Sequence, residues 1–176
     1  VRERPEFTLI LFGWSELLDA RVEADMASVK EELGGRYTYA TDDALRLNVA
    51  SSFDQRSTDD AIAEVRRTAA WADRALFGDL DDAPPEQPDH WVSLILPTPE
   101  HFRGFVPMPG VGGIYDRDRR LLVSQDLGPS LRHEFLHVLH QRVMDRLGQQ
   151  HAYWVQEGLG AVVEDMSAES GADTPV

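Results

Sequence analysis

Three histidines and a glutamate fall within the eight residues His133 to His140, in a chain that has six histidines in all. His133 and His137 are four apart. On a helix they stand one turn above each other on the same side, roughly 6 Å apart along the axis. Two imidazoles so placed can share a single Zn²⁺. Glu134 lies about 100° further round, beside such an ion rather than on it, where its carboxylate can hold the water that the metal activates. The pattern is H-E-x-x-H, with Phe135 and Leu136 in the variable places and uncharged Leu131, Val138 and Leu139 around it.

A zinc ion held by two histidines needs a third protein ligand, with the fourth place left for water. The stretch "YWVQEGLGAVVED" (Tyr153–Asp165) offers Glu157. Gly160 and Ala161 follow it by three and four residues, so a carboxylate shares one helix face with two positions of minimal size. Such a face lets this helix come close enough for a short carboxylate to reach the metal. Glu164, two turns beyond Glu157, either orients His133 or His137 or is a solvated helix carboxylate. His140 lies about 10 Å along the axis from His133, too far to share an ion with it, and reads as an outer or surface histidine. His90, His101 and His151 carry no spacing signal.

These residues resemble a known family. H-E-x-x-H, followed by W-x-x-E-G, whose glutamate comes nineteen intervening residues after His137, and then by Gly160-Ala161, is similar to the gluzincin zinc metallopeptidases of the peptidase MA-like fold, which include thermolysin and zinc aminopeptidases. The likeness covers the last third of the chain, and the family's alanine after the Glu-Gly pair is here displaced by Gly160. It implies that His133, His137 and Glu157 hold one Zn²⁺ per chain and that Glu134 is the general base of peptide-bond hydrolysis. A metzincin would need Gly at position 140 and His at 143, where this chain has His140 and Val143.

The resemblance also implies a substrate-binding sheet edge just upstream of the zinc helix. "GVGGIY" (Gly110–Tyr115) stands there, and Gly112, Gly113 and Tyr115 are its candidate peptide-binding residues. It lacks the glutamate with which aminopeptidases recognise an amino terminus, so an endopeptidase is expected. For the oxyanion donor the candidates are Tyr115, Tyr153, His151, an arginine of the 117–120 turn, or a part of a longer parent chain. The other function class is a zinc-binding but catalytically weak domain that recognises peptides or supports an assembly. Glu134 favours the enzyme, since a purely structural zinc site has no use for a base.

The elements that must position these groups follow from periodicity. "FTLILF" (Phe7–Phe12) reads as a buried strand, followed by a helix from Ser15 with an apolar stripe ending at Leu33. "YTYATDDALRLNV" reads as a hairpin. "STDD" suggests the start of a second helix with the stripe Ile62, Val65, Ala69, Ala72 and Leu76. "DLDDAPPEQPD" is an acidic loop, "WVSLILP" a buried strand, and Gly113–Tyr115 with Leu121–Ser124 a second hairpin. Pro129 opens the histidine helix and Gly148 closes it; a last helix runs from about Tyr153 to Met166. The expected fold is α+β, a single zincin-like domain over residues 1–166 with a small mixed or antiparallel sheet, then a polar, disordered tail over 167–176.

Composition sets the outer bounds. One domain with a real core fits 176 residues. A net charge of −14 repels a phosphate backbone and excludes nucleic acid as the expected partner. The apolar runs are too short to span a bilayer. With no cysteine, thiolate catalysis and Cys-ligated metal are excluded. The start at Val1, without Met, suggests a processed or excised chain, which favours an extracytoplasmic setting.

Overall fold

The computed structural model describes residues 30–31, 33–78 and 89–166. The strand expected at Phe7–Phe12, most of the helix after it, nearly all of the acidic loop and the 167–176 tail lie outside the described residues. Within them the protein is α+β: five strands in one mixed sheet, with four helices. No helix among the described residues is long and apolar enough to cross a membrane.

The strands are β1 (Thr38–Asp42), β2 (Leu47–Ser51), β3 (Val92–Leu96), β4 (Gly113–Asp116) and β5 (Leu121–Ser124). They lie in the order β1-β2-β3-β5-β4. The two hairpins, β1–β2 and β4–β5, are antiparallel, while β3 runs parallel to both β2 and β5. Among the described residues β4 is therefore an antiparallel strand on the edge of a partly parallel sheet. Leu47, Val49, Leu94 and Leu96 alternate onto one face, and Ala50, Ile95, Leu121 and Val123 onto the other.

Helix α1 (Gln55–Ala72) begins two residues before the expected Ser57. Asp54 is the reason: its carboxylate accepts from the Ser57 N–H and caps the helix one turn earlier. Of the expected stripe, Ile62, Val65 and Ala72 are buried. A π-helical turn over Asp73–Phe77 then puts an extra residue into the winding, so Phe77 points inward where the 3.6-residue period placed Leu76. A short helix, α2 (Pro99–Phe105), follows β3 and is absent from the sequence reading. Thr98, Pro99 and Glu100 were its signal, a side-chain cap followed by proline in the first turn.

Helix α3 (Pro129–Leu147) runs between the expected Pro129 and Gly148, which closes it in the left-handed conformation at φ 62°. Leu131, Phe135 and Val138 pack it onto the sheet and α1, and Leu136, Val143 and Met144 pack it against the end of α1 and against α4 (Tyr153–Glu164). With two sides of α3 buried, His133, Glu134 and His137 are left on the strip between them.

Candidate metal centre

The three residues expected as ligands come together. One ligand atom each from His133, His137 and Glu157 lies within 4.8 Å of the other two, a group able to hold a metal ion. The distances inside it are informative. His133 Nε2 is 3.5 Å from one Glu157 oxygen and His137 Nε2 is 3.4 Å from the other. These are long for N–H···O hydrogen bonds, which cluster near 2.9 Å. Ligands about 2.0–2.1 Å from a tetrahedral ion stand roughly 3.3–3.4 Å apart; each of the two distances is close to that length, and because they run to separate Glu157 oxygens the carboxylate straddles the two rings.

Each imidazole has surroundings that bear on its use as a ligand. His133 Nδ1 lies 2.5 Å from Glu164 Oε1. A carboxylate only accepts, so Nδ1 carries the hydrogen and Nε2 is the nitrogen that faces Glu157. Glu164 thus serves His133, one of the alternatives open from spacing alone. Burial, together with the His133 ring, pushes the His137 pKa down to about 4, which keeps this imidazole neutral at pH 7.

Helix α4 reaches these rings because Gly160 has no side chain. A Cβ there would stand 2.7 Å from His133 Cε1 and Nε2. Gly158 faces open space and makes no such contact. The small face expected of this helix is therefore Gly160 alone, since Ala161 is exposed.

Glu134 lies between the candidate ligands and β4. A Cβ on Gly113 would meet Glu134 Cγ at 2.6 Å, and one on Gly112 would meet Ser130 Oγ at 2.1 Å. The glycines let α3 approach β4. The Gln125 N–H donates to the Gly112 carbonyl, so these two form a bonded pair of the ladder, and the alternation turns the main-chain groups of Gly113 and Tyr115 away from β5, to the side of β4 that no strand among the described residues covers. There the Tyr115 N–H donates to the Glu134 carboxylate. Burial pushes the Glu134 pKa up to about 7, the Glu157 and Glu164 charges adding to the rise and His133 and the Tyr115 N–H opposing it.

Of the oxyanion candidates, Tyr153 is the one whose phenol reaches the ligands. The Glu157 charge, aided by a hydrogen bond to Glu157, raises its pKa. The Tyr115 ring instead packs on the core beside Arg142 and Asp145, where burial pushes its pKa up to about 12. His151 is held by His140 at 2.9 Å, while Arg117 and Arg119 pair with Asp145 and Asp116. His140 is not a surface residue: it is buried, stacks on Phe77 and bonds His151.

No family model, curated protein or solved structure matches this chain.

Proposed function

We propose that the protein is a zinc-dependent peptidase of the gluzincin type, acting as an endopeptidase on an extended peptide. One observation carries the reading: His133, His137 and Glu157 converge, each histidine Nε2 standing 3.4–3.5 Å from an oxygen of the one Glu157 carboxylate, as a group able to hold a metal ion. The neutral His137 imidazole, the Glu164 bond to His133 and the carboxylate of Glu134 beside the candidate ligands support it. An antiparallel edge strand next to the histidine helix supports the zincin-like architecture.

In this reading His133, His137 and Glu157 hold one Zn²⁺. The bound ion would supply Lewis acidity, polarising a carbonyl oxygen and lowering the pKa of water towards about 7. The remaining work belongs to the chain. Glu134, with a pKa of about 7 before metal binding, accepts a proton from the attacking water and returns it to the leaving amide nitrogen. Its hydrogen bond from Tyr115 fixes the carboxylate against β4. Tyr153 donates to the carbonyl oxygen as negative charge builds there. The free edge of β4 takes the substrate as an added strand, bringing its backbone past Glu134.

The test compares zinc-loaded wild type with Glu134→Gln on casein or a peptide library. The Gln side chain keeps the size but not the base, so metal content should be retained while cleavage falls by about 10²–10⁴. Equal cleavage by both proteins would show the activity to be contamination. A zinc-bound wild type that binds peptides without cutting them would transfer the case to the recognition domain.

A further inference from the structure

Arg132 is the sequence neighbour of His133, yet its side chain turns away from the ligands and is buried, with 7% exposure. A buried guanidinium is costly unless its donors are engaged. Here Nε donates to the Val163 carbonyl at 2.7 Å, Nη2 donates to the Glu164 carbonyl, and Nη1 donates to Glu64 Oε1 at 2.9 Å. Val163 and Glu164 end α4, where helix carbonyls lack intrahelical acceptance and a positive charge is favourable. Glu64, from α1, is equally buried and also accepts from Arg67. One ion pair thus joins α1, α3 and the C-terminal turn of α4.

Two consecutive residues of α3 thereby grip a single residue of α4. Arg132 holds the main-chain carbonyl of Glu164, and His133 Nδ1 holds its carboxylate. The contacts close a ring through 132, 133 and 164. The Glu164 side chain is 46% exposed, so packing alone does not confine it. Without Arg132 its carboxylate would be free to turn to water.

We infer that the Arg132–Glu64 pair is a positioning device for the candidate metal centre: by fixing the backbone of Glu164 it fixes the carboxylate that orients the His133 ring. Its consequence for zinc rests on the proposed function, whereas its effect on the ring does not. The longer reach is through Glu64, which ties the orientation of a ligand to a helix that contributes no ligand.

Two measurements test this. In zinc-free protein well above the histidine range, at about pH 8.5, long-range proton–nitrogen spectra of the rings report which nitrogen carries the hydrogen. Wild type should show His133 as the Nδ1–H tautomer alone, and Arg132→Lys and Glu64→Gln should show a mixture. Val65→Ala, which thins the core under the same helix, should lower thermal stability and leave the tautomer unchanged. In the second measurement, zinc affinity is read by competition with a chromophoric chelator. Arg132→Lys and Glu164→Gln should each weaken binding about 10–100-fold. The double variant should be no weaker than the worse single one, because both break one ring. A folded Arg132→Lys or Glu64→Gln that keeps the wild-type tautomer overturns the inference, as do affinity losses that multiply. If Arg132→Lys does not fold, Glu64→Gln decides alone. If wild type binds no zinc, the peptidase reading fails while the tautomer result still judges the pair.

Discussion

Replacing Glu134 by Gln should stabilise the zinc-free protein, and by an amount that grows with pH. Burial lifts the Glu134 pKa from 4.5 to about 7. At about 1.4 kcal/mol per pH unit, the charge costs the fold up to about 3 kcal/mol. The sign follows from proton counting. Between pH 4.5 and 7 the folded state binds more protons than the unfolded one, so the contribution is full below 4.5 and lost as pH rises through 7. Gln carries no charge at any pH, and its carbonyl can still accept from the Tyr115 N–H. The window from pH 5.5 to 8.5 avoids the acid range where a carboxylate-rich chain loses its solubilising charge. Across it the advantage of Glu134→Gln over wild type should rise by about 2 kcal/mol, because about 1 kcal/mol is already lost at the acid end. For a chain of this size that is roughly 4–8 °C in melting temperature. Paired thermal melts in chelator, at half-unit pH steps, read the difference directly. A constant difference across the window, or a variant less stable at pH 8.5, would refute the burial argument for this base.

Elemental analysis after dialysis against chelator and zinc add-back should find one Zn²⁺ per chain, and His133→Ala with His137→Ala should abolish it; unchanged stoichiometry would sink the site. Zinc competition should place Glu157→Ala far below Glu164→Gln, with His140→Ala near wild type; His140→Ala as the most damaging change would overturn the ligand set. Gly160→Ala should lower melting temperature and zinc affinity together, because its Cβ would stand 2.7 Å from the His133 ring, while Gly158→Ala, facing open space, should stabilise by about 0.5–1 kcal/mol. If both alanines behave alike in thermal melts, the packing account of α4 is wrong.

What could be read from the sequence was local. H-E-x-x-H fixes a helical face because four residues make one turn, and Glu157 with Gly160 declares a face that packs closely. Both hairpins and the Pro129 and Gly148 boundaries of α3 were legible for the same reason. The rest depended on partners distant in the chain. Arg132 and Glu64 are 68 residues apart, and neither breaks a periodic pattern in a way that would announce a buried pair. His140 had no ligand spacing, but its burial depends on Phe77 and His151. Gly112 and Gly113 were read only as candidate peptide-binding positions. That they admit Ser130 and Glu134 of α3 is a matter of tertiary contact.

Helix α4 cannot account for its own position. It has twelve residues, two of them glycine, and no side chain caps its N-terminus. Helices this short are marginal alone in water, and each interior glycine removes about 1 kcal/mol more. Its order must come from α3: Gly160 against His133, Glu164 on the same ring, Val163 in the core beside Leu136, and the Arg132 guanidinium on its last carbonyls. Two of these four contacts end on His133, a proposed ligand. Docking of α4 and assembly of the three-residue group are therefore one equilibrium. An ion bridging α3 and α4 would draw on it by mass action, and α4 would gain more protection from hydrogen exchange than the sheet. The parts of the site that come from α3 alone, His133, Glu134 and His137, persist when α4 opens; Glu157 does not. The affinity for such an ion would then be limited by how often α4 is docked, the quantity on which the Gly160 and Arg132 contacts bear.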